Sequence, residues 1–158
     1  MPFILLAMWL IVTVTSSMLS LHVVQNQNTP LSSGSGAAAA QAWLAYKAAL
    51  LKYLEDHPST TGSITLGQLG LDSNGYDLSS AGNQIVRNNE SVTIEAWMEL
   101  TSDQIAAAIH ITNGDMSIGT SLGDRWTTPS AGNMGLLPVS APVGDAVSVV
   151  SLSGTGYR

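Results

Sequence analysis

AAAAQAWLAYKAALLKYLEDH, Ala37 to His57, and QIVRNNESVTIEAW, Gln84 to Trp97, decide the fold between them. The first is rich in Ala and Leu, which favour helix. Counted from Trp43, the residues Tyr46, Leu50, Tyr53, Leu54 and His57 fall at offsets of 3, 7, 10, 11 and 14, one face of a helix. Pro58 stands just past its end, where it stops a helix, and Lys47 and Lys52 are expected to solvate the other face. The second stretch reads as a hairpin turning at Asn88-Asn89. Val92, Ile94 and Ala96 alternate with Ser91, Thr93 and Glu95, which predicts a strand wet on one side.

Working outward, Pro58 to Gly82 is mostly turn and loop, with Ile64, Leu66, Leu69 and Leu71 as its apolar anchors. Past the hairpin, Thr101 followed by Gln104 matches a capping box and opens a short helix. Ile105, Ala108 and Ile109 form its inner stripe, and Gly114 ends it. Met116 to Leu122 and Arg125 to Pro129 read as strands joined at Gly123-Asp124, and Ala146 to Leu152 as a β-branched last strand. The order α-β-β-α-β-β-β over residues 37–158 predicts an α+β domain, its helices packed on one face of an antiparallel sheet.

Ahead of that domain, Gln25 to Gly36 is polar and rich in Ser, Gly and Asn, a flexible linker with a reach of roughly 20 Å. Before it runs FILLAMWLIVTVTSSMLSLHVV, Phe3 to Val24, 22 residues without a charge. As a helix it would measure about 33 Å, enough for a hydrocarbon core of about 30 Å. Residues 1–24 are expected to be a single transmembrane anchor with membrane lipid as its partner. A cleaved secretory signal wants a basic n-region and a nearby small-residue site, and neither stands here. The short head and long acidic tail fit a body outside the membrane, which in a bacterium is the periplasm.

Composition narrows the function classes. The chain has 158 residues, and only 10% are charged, well below the roughly 25% of average proteins. Five Lys and Arg against 11 Asp and Glu leave no cation surplus for a phosphate backbone, so nucleic acid is excluded as a partner. With no Cys there is no disulfide frame, thiolate metal site or catalytic thiol.

The motifs that touch chemistry are weak. GTSLG, Gly119 to Gly123, matches a hydrolase elbow with Ser121 as nucleophile, yet it lies between two strands and no His follows it. DSNGYD, Asp72 to Asp77, lacks the frame and closing Glu of a calcium loop and reads as an Asx-type turn. His22, His57 and His110 have no paired metal spacing. Glu95 and Glu99 are candidates for an acid–base pair, with solvated surface as the default for both. No catalytic, cofactor or metal residue is therefore assigned. Trp43, Tyr46, Trp97 and Trp126 are the candidate interface residues, against the ordinary reading of a strand aromatic as core or cross-strand pair.

AWLAYKAALLKYLEDHPSTTGSI, Ala42 to Ile64, DQIAAAIH, Asp103 to His110, and SIGTSLGDRWTTPSAGNMGLLPVSAPVGDAVSVV, Ser117 to Val150, together resemble the PilM family of type IV pilus biogenesis proteins, known from thin, type IVb-like pili of conjugation systems. The likeness is one of order and spacing over most of the chain. QIVRNNES departs from the W-T segment expected near the first hairpin. The resemblance implies a bitopic inner-membrane component of the pilin-export apparatus or pilus base. It implies no enzyme and no cofactor; its partners would be other assembly proteins or a second copy of the chain. The alternative is a minor pilin, but the chain has no Gly before Gly34 and no acidic residue before Glu55, so it lacks the pilin processing motif. A membrane-tethered hydrolase is the remote alternative.

Overall fold

The computed structural model describes residues 35–71, 77–88 and 91–154. The chain divides into two units, Met1–Ser33 and Gly34–Arg158, and the described residues belong to the second. The expected anchor at 3–24 and the linker at 25–34 lie outside the described residues. Among those that are described, no helix is long and apolar enough to cross a membrane.

Helix α1 (Ser35–Asp56) begins two residues earlier than its composition suggests, so Ser35 and Gly36 belong to the helix and not to the linker. Its expected face is the buried one: Trp43, Tyr46, Leu50 and Leu54 are each at most 4% exposed. Burying side chains of this size contributes about 1.5–3 kcal/mol apiece, far more than helix propensity. Lys47 departs from expectation. Its side chain is only 11% exposed and forms an ion pair with Asp115, because the stretch after the second helix folds back against α1.

Strands β1 (Gly82–Arg87) and β2 (Ser91–Met98) form the expected hairpin, with Ile85 opposite Ile94. Asn88 shapes the turn, its Oδ1 accepting from the Ser91 N–H at 2.9 Å and from the Ser91 hydroxyl at 2.8 Å. Helix α2 (Ser102–Ile111) opens on the expected capping box, with the Thr101 hydroxyl accepting from the Gln104 amide and the Gln104 side chain accepting from the Thr101 amide at 2.8 Å. Ile105 and Ala108 are its buried contacts.

The remaining strands are β3 (Ile118–Ser121), β4 (Arg125–Thr128), β5 (Gly132–Leu136) and β6 (Ala146–Ser153). β5 is absent from the expected order, so the observed order is α-β-β-α-β-β-β-β. Its sequence, GNMGL, carries no alternation to announce a strand. Pairing with β4 makes it one, across a register shift between Trp126 and Thr127. The six-stranded antiparallel sheet runs β1-β2-β6-β3-β4-β5. The last strand in sequence thus enters the middle, beside β2 over Ser91 to Met98.

The two faces of the sheet differ. On one, Ile85, Val92, Ile94, Ala96, Ile118 and Ala146 join the buried residues of both helices in the main core. Ile64 and Leu71, from the loop after α1, complete it, with Leu66 and Leu69 packed at its margin. On the other, the segment from Leu137 to Asp145 crosses the sheet as a strap over a smaller cluster of Trp126, Leu137, Ala141 and Val147. This cover corrects the expected wet face of β2: Thr93 stays half-buried, but Glu95 is 0% exposed. The alternation in β2 predicts which residues share a face. It does not reveal that a later segment returns to cover part of the second one.

Candidate functional site

Four polar arrangements interrupt the cores. The first joins three segments through Asn83 on β1, which is 3% exposed. Its Oδ1 accepts from the Ile64 N–H at 2.7 Å, and its Nδ2 donates to the Ile64 carbonyl and the Tyr46 hydroxyl, each at 2.7 Å. The amide thus acts as a short piece of strand for Ile64 and ties the loop to α1. Two residues away, Gly62 and Ile85 exchange both backbone hydrogen bonds at 2.9 Å. The outer edge of β1 is therefore partly occupied by its own chain. Burial raises the Tyr46 phenol above its ordinary value, and the hydrogen bond with Asn83 offsets part of the rise.

The second arrangement is at Lys47. Its ammonium donates to the Asp115 carboxylate and, at 2.6 Å, to the Ser117 hydroxyl, which lies 3.2 Å from the Ser148 hydroxyl. Partial burial pushes the Asp115 carboxyl up, but the hydrogen bonds from Lys47 and Ser117 outweigh it and hold the group below its usual range. The third is Glu95, whose Oε2 accepts from the Val139 amide at 3.0 Å while its Oε1 has no partner. Burial raises its pKa, the Val139 amide lowering it in part. The fourth is Ser121 on β3, which is fully buried. Its hydroxyl donates to the Ala141 carbonyl and accepts from the Gly123 amide, both at 3.0 Å, fastening the far end of the strap.

The residues singled out in the sequence are scattered by the fold. Trp43 and Tyr46 are 0% and 1% exposed in the main core, and Trp126 is 5% exposed in the second cluster. These three have no free surface to offer a partner, which corrects their reading as interface residues. A large aromatic satisfies core and interface patterns alike, and here the core takes it. Trp97 is half-buried and lies across Gly82, where an added Cβ would come within 2.4 Å of its ring. Ser121 stands at a strand–turn–strand junction and not at a strand–turn–helix elbow.

Glu95 and Glu99 do not pair, since Glu95 is under the strap and Glu99 is exposed beyond β2. Glu99 instead adds its charge to burial in raising the Asp145 carboxyl. His57 stacks on Tyr53 with ring centroids 4.2 Å apart at the exposed end of α1. Asp77 accepts from the Ser79 amide and hydroxyl, an Asx-type turn, whereas residues 72–76 and the pair Asn89-Glu90 lie outside the described residues. Among the described residues no group of three or more His, Asp or Glu is placed to hold a metal.

A shallow open cavity of about 390 Å³ lies beside the start of α2, lined by Ser80, Met98, Glu99, Thr101 and Gln104 among others. Its lining carries the hydroxyls of Ser79, Ser80 and Thr101 and the exposed carboxylates of Asp77 and Glu99. The other exposed feature is the outer edge of the sheet at β5. Among the described residues no strand pairs with it. Beside it, Leu122, Leu136 and Val143 stand 51%, 66% and 75% exposed around the β3–β4 turn. What the sequence did not disclose here is Glu95 and Asn83, whose roles depend on segments distant in the chain.

The geometry describes a small α+β domain whose buried polar groups tie segments together, with an outer strand, β5, that no other strand pairs among the described residues. Comparison with known proteins places it further. The family model PilM matches residues 8–149, nearly the whole chain, and the protein belongs to the PilM family. The fold is similar to the crystal structure of a protein described as PilM from Escherichia coli B7A, at 17% identity and a TM-score of 0.56. That likeness covers 73% of this chain and 90% of the other. No curated protein matches the sequence. Membership ties the chain to pilus-related processes.

Proposed function

We propose that the protein is a bitopic inner-membrane component of a type IV pilus assembly or pilin-export apparatus, of the thin, type IVb-like kind, and that it acts through protein–protein contacts. The observation that carries this reading is the family match, which starts at Met8, inside the uncharged stretch Phe3 to Val24, and continues to Val149. The apolar stretch and the α+β domain thus belong to one family pattern. A span of that length and polarity suits a bilayer, with the domain on the periplasmic side. A contact role is supported by the β5 edge and the exposed Leu122, Leu136 and Val143, since bare edges and apolar surface suit docking to other subunits. No catalytic step is part of the proposal.

The test is deletion of residues 3–24 in a host that carries the pilus system. The expected result is a domain that leaves the membrane fraction and a loss of pili, restored by the full chain. Pili assembled at normal number by the truncated protein would end the anchored-component reading. Recovery of the full chain in sheared pili would move the protein to the minor-pilin class.

A further inference from the structure

The strap over the second face of the sheet is fastened unevenly. At its start, the Leu137 N–H donates to the Asp124 carbonyl at 2.9 Å. At its far end, Ala141 is held twice, through its N–H to the Gly123 carbonyl at 3.0 Å and through its carbonyl from the Ser121 hydroxyl. Gly144 donates to the Ser121 carbonyl and Asp145 accepts from the Ser121 amide, both at 2.9 Å. Between these points Pro138, Val139 and Ser140 are exposed, and the hydrogen bond from the Val139 amide to Glu95 is what ties them to the sheet. The ties at both ends run between backbone groups and one hydroxyl, so they are neutral and insensitive to pH. The middle one ends on a carboxyl group.

That carboxyl is in an unusual position. Glu95 is 0% exposed, accepts one hydrogen bond, and leaves Oε1 without a partner. A buried carboxylate is costly unless it is paired or well hydrogen-bonded, whereas a neutral carboxyl needs only modest satisfaction. Directly across the sheet stand Gln84 on β1 and Val149 on β6, neither of them charged. The charged groups on the surrounding elements are Arg87 at the end of β1, which donates to the Thr60 carbonyl, Asp145 on the strap, Asp124 and Arg125 at the β3–β4 turn, and Glu99 beyond β2. None of them contributes to the titration of Glu95, which is set by burial and by the Val139 amide.

We propose that Glu95 is a proton-operated latch: protonated, it holds the Pro138–Ser140 tip of the strap against the sheet, and ionised, it drives that tip off into water. The sign follows from burial. The closed form holds its proton more tightly than the open form, in which a hydrated Glu95 titrates near the ordinary value of 4.5. Closure is therefore favoured below that value, and the advantage is lost as pH rises through the raised value of the closed form. Opening is confined to the tip, because Leu137 and Ala141 remain fastened to backbone carbonyls.

The experiment is amide hydrogen exchange, read by NMR on the full chain between about pH 4.5 and about pH 8.5 and corrected for the intrinsic rate at each pH. Protection of the Val139 amide is expected to fall by up to about tenfold per pH unit between the ordinary value of 4.5 and the raised value of the closed form, and to level off above it. Leu137 and Ala141 should stay flat. In Glu95→Gln, which keeps an acceptor for Val139 but cannot ionise, the Val139 profile should be flat as well. A flat Val139 profile in the unaltered protein, or an unchanged slope in the variant, overturns the latch. Should Glu95→Gln fail to fold, the carbon-13 shift of the Glu95 carboxyl in the unaltered protein decides. Titration together with the Val139 amide shift and above the ordinary range supports the latch, and titration at the ordinary value refutes it.

Discussion

Asn83→Leu should be among the most damaging single substitutions in the domain, although it exchanges one branched side chain for another. The amide makes three hydrogen bonds, each at 2.7 Å, to the Ile64 N–H, the Ile64 carbonyl and the Tyr46 hydroxyl. Leu makes none of them, and the site is too buried for water to enter without rearrangement. An orphaned buried polar group costs about 1–3 kcal/mol. Three of them set an upper range of about 3–9 kcal/mol, and partial relaxation of the loop around Ile64 brings the expected loss to about 3–6 kcal/mol. A domain of this size has a total stability of roughly 6–19 kcal/mol, so the variant is expected to be marginal. The assay is urea unfolding followed by tryptophan fluorescence, with the free energy taken from the midpoint and slope. Tyr46→Phe, which removes only one partner, should cost about 1 kcal/mol and sets the scale. A loss below about 1 kcal/mol for Asn83→Leu would show that the loop rehydrates freely, and the account of Asn83 as a tie between three segments would be wrong.

Two glycines in ordinary backbone conformations should respond in opposite ways. At Gly119 an added Cβ would lie 2.1 Å from the Thr127 carbonyl oxygen, a backbone atom of the paired strand, so Gly119→Ala should cost about 3 kcal/mol and weaken the β3–β4 pairing. At Gly36, inside α1, the new methyl meets only the Gln104 Cγ at 3.7 Å, and Gly36→Ala should stabilise by up to about 1 kcal/mol; equal effects in chemical unfolding would contradict both readings. Asp115 titrates below its ordinary value in the folded protein, so it adds stability above pH 3.8, and that share is lost as pH falls through the lowered value. Lys47→Met should accordingly be less stable at neutral pH and lose less on acidification. Parallel acid limbs in the two proteins would rule out the ion pair as the source.

Some of this architecture is written in short stretches of residues. The face of α1 through Trp43, Tyr46, Leu50 and Leu54, the Thr101–Gln104 box of α2, and the Asn88 turn depend on neighbours within a few positions. A helix or a tight turn is made by contacts of that range, so its residues can be recognised one segment at a time. The family pattern was legible for the same reason, as an order of such segments.

What lay beyond the sequence was every assignment that depends on which distant segment comes to rest on another. GNMGL has no strand pattern, and β5 exists because β4 offers it a partner. Glu95 sits at an alternating position that promises water, and it is buried because residues 137–145, some 40 positions later, cross that face. Lys47, on the face of α1 expected to be wet, is enclosed because Asp115 and Ser117 return to it. Trp43, Tyr46 and Trp126 could serve a core or a partner equally well, since both reward a large apolar ring, and only the packed structure shows that the core holds them. Periodicity selects which residues share a face. Long-range packing selects what that face meets, and with it the ionisation of Glu95, the pairing of Lys47 and the edge position of β5.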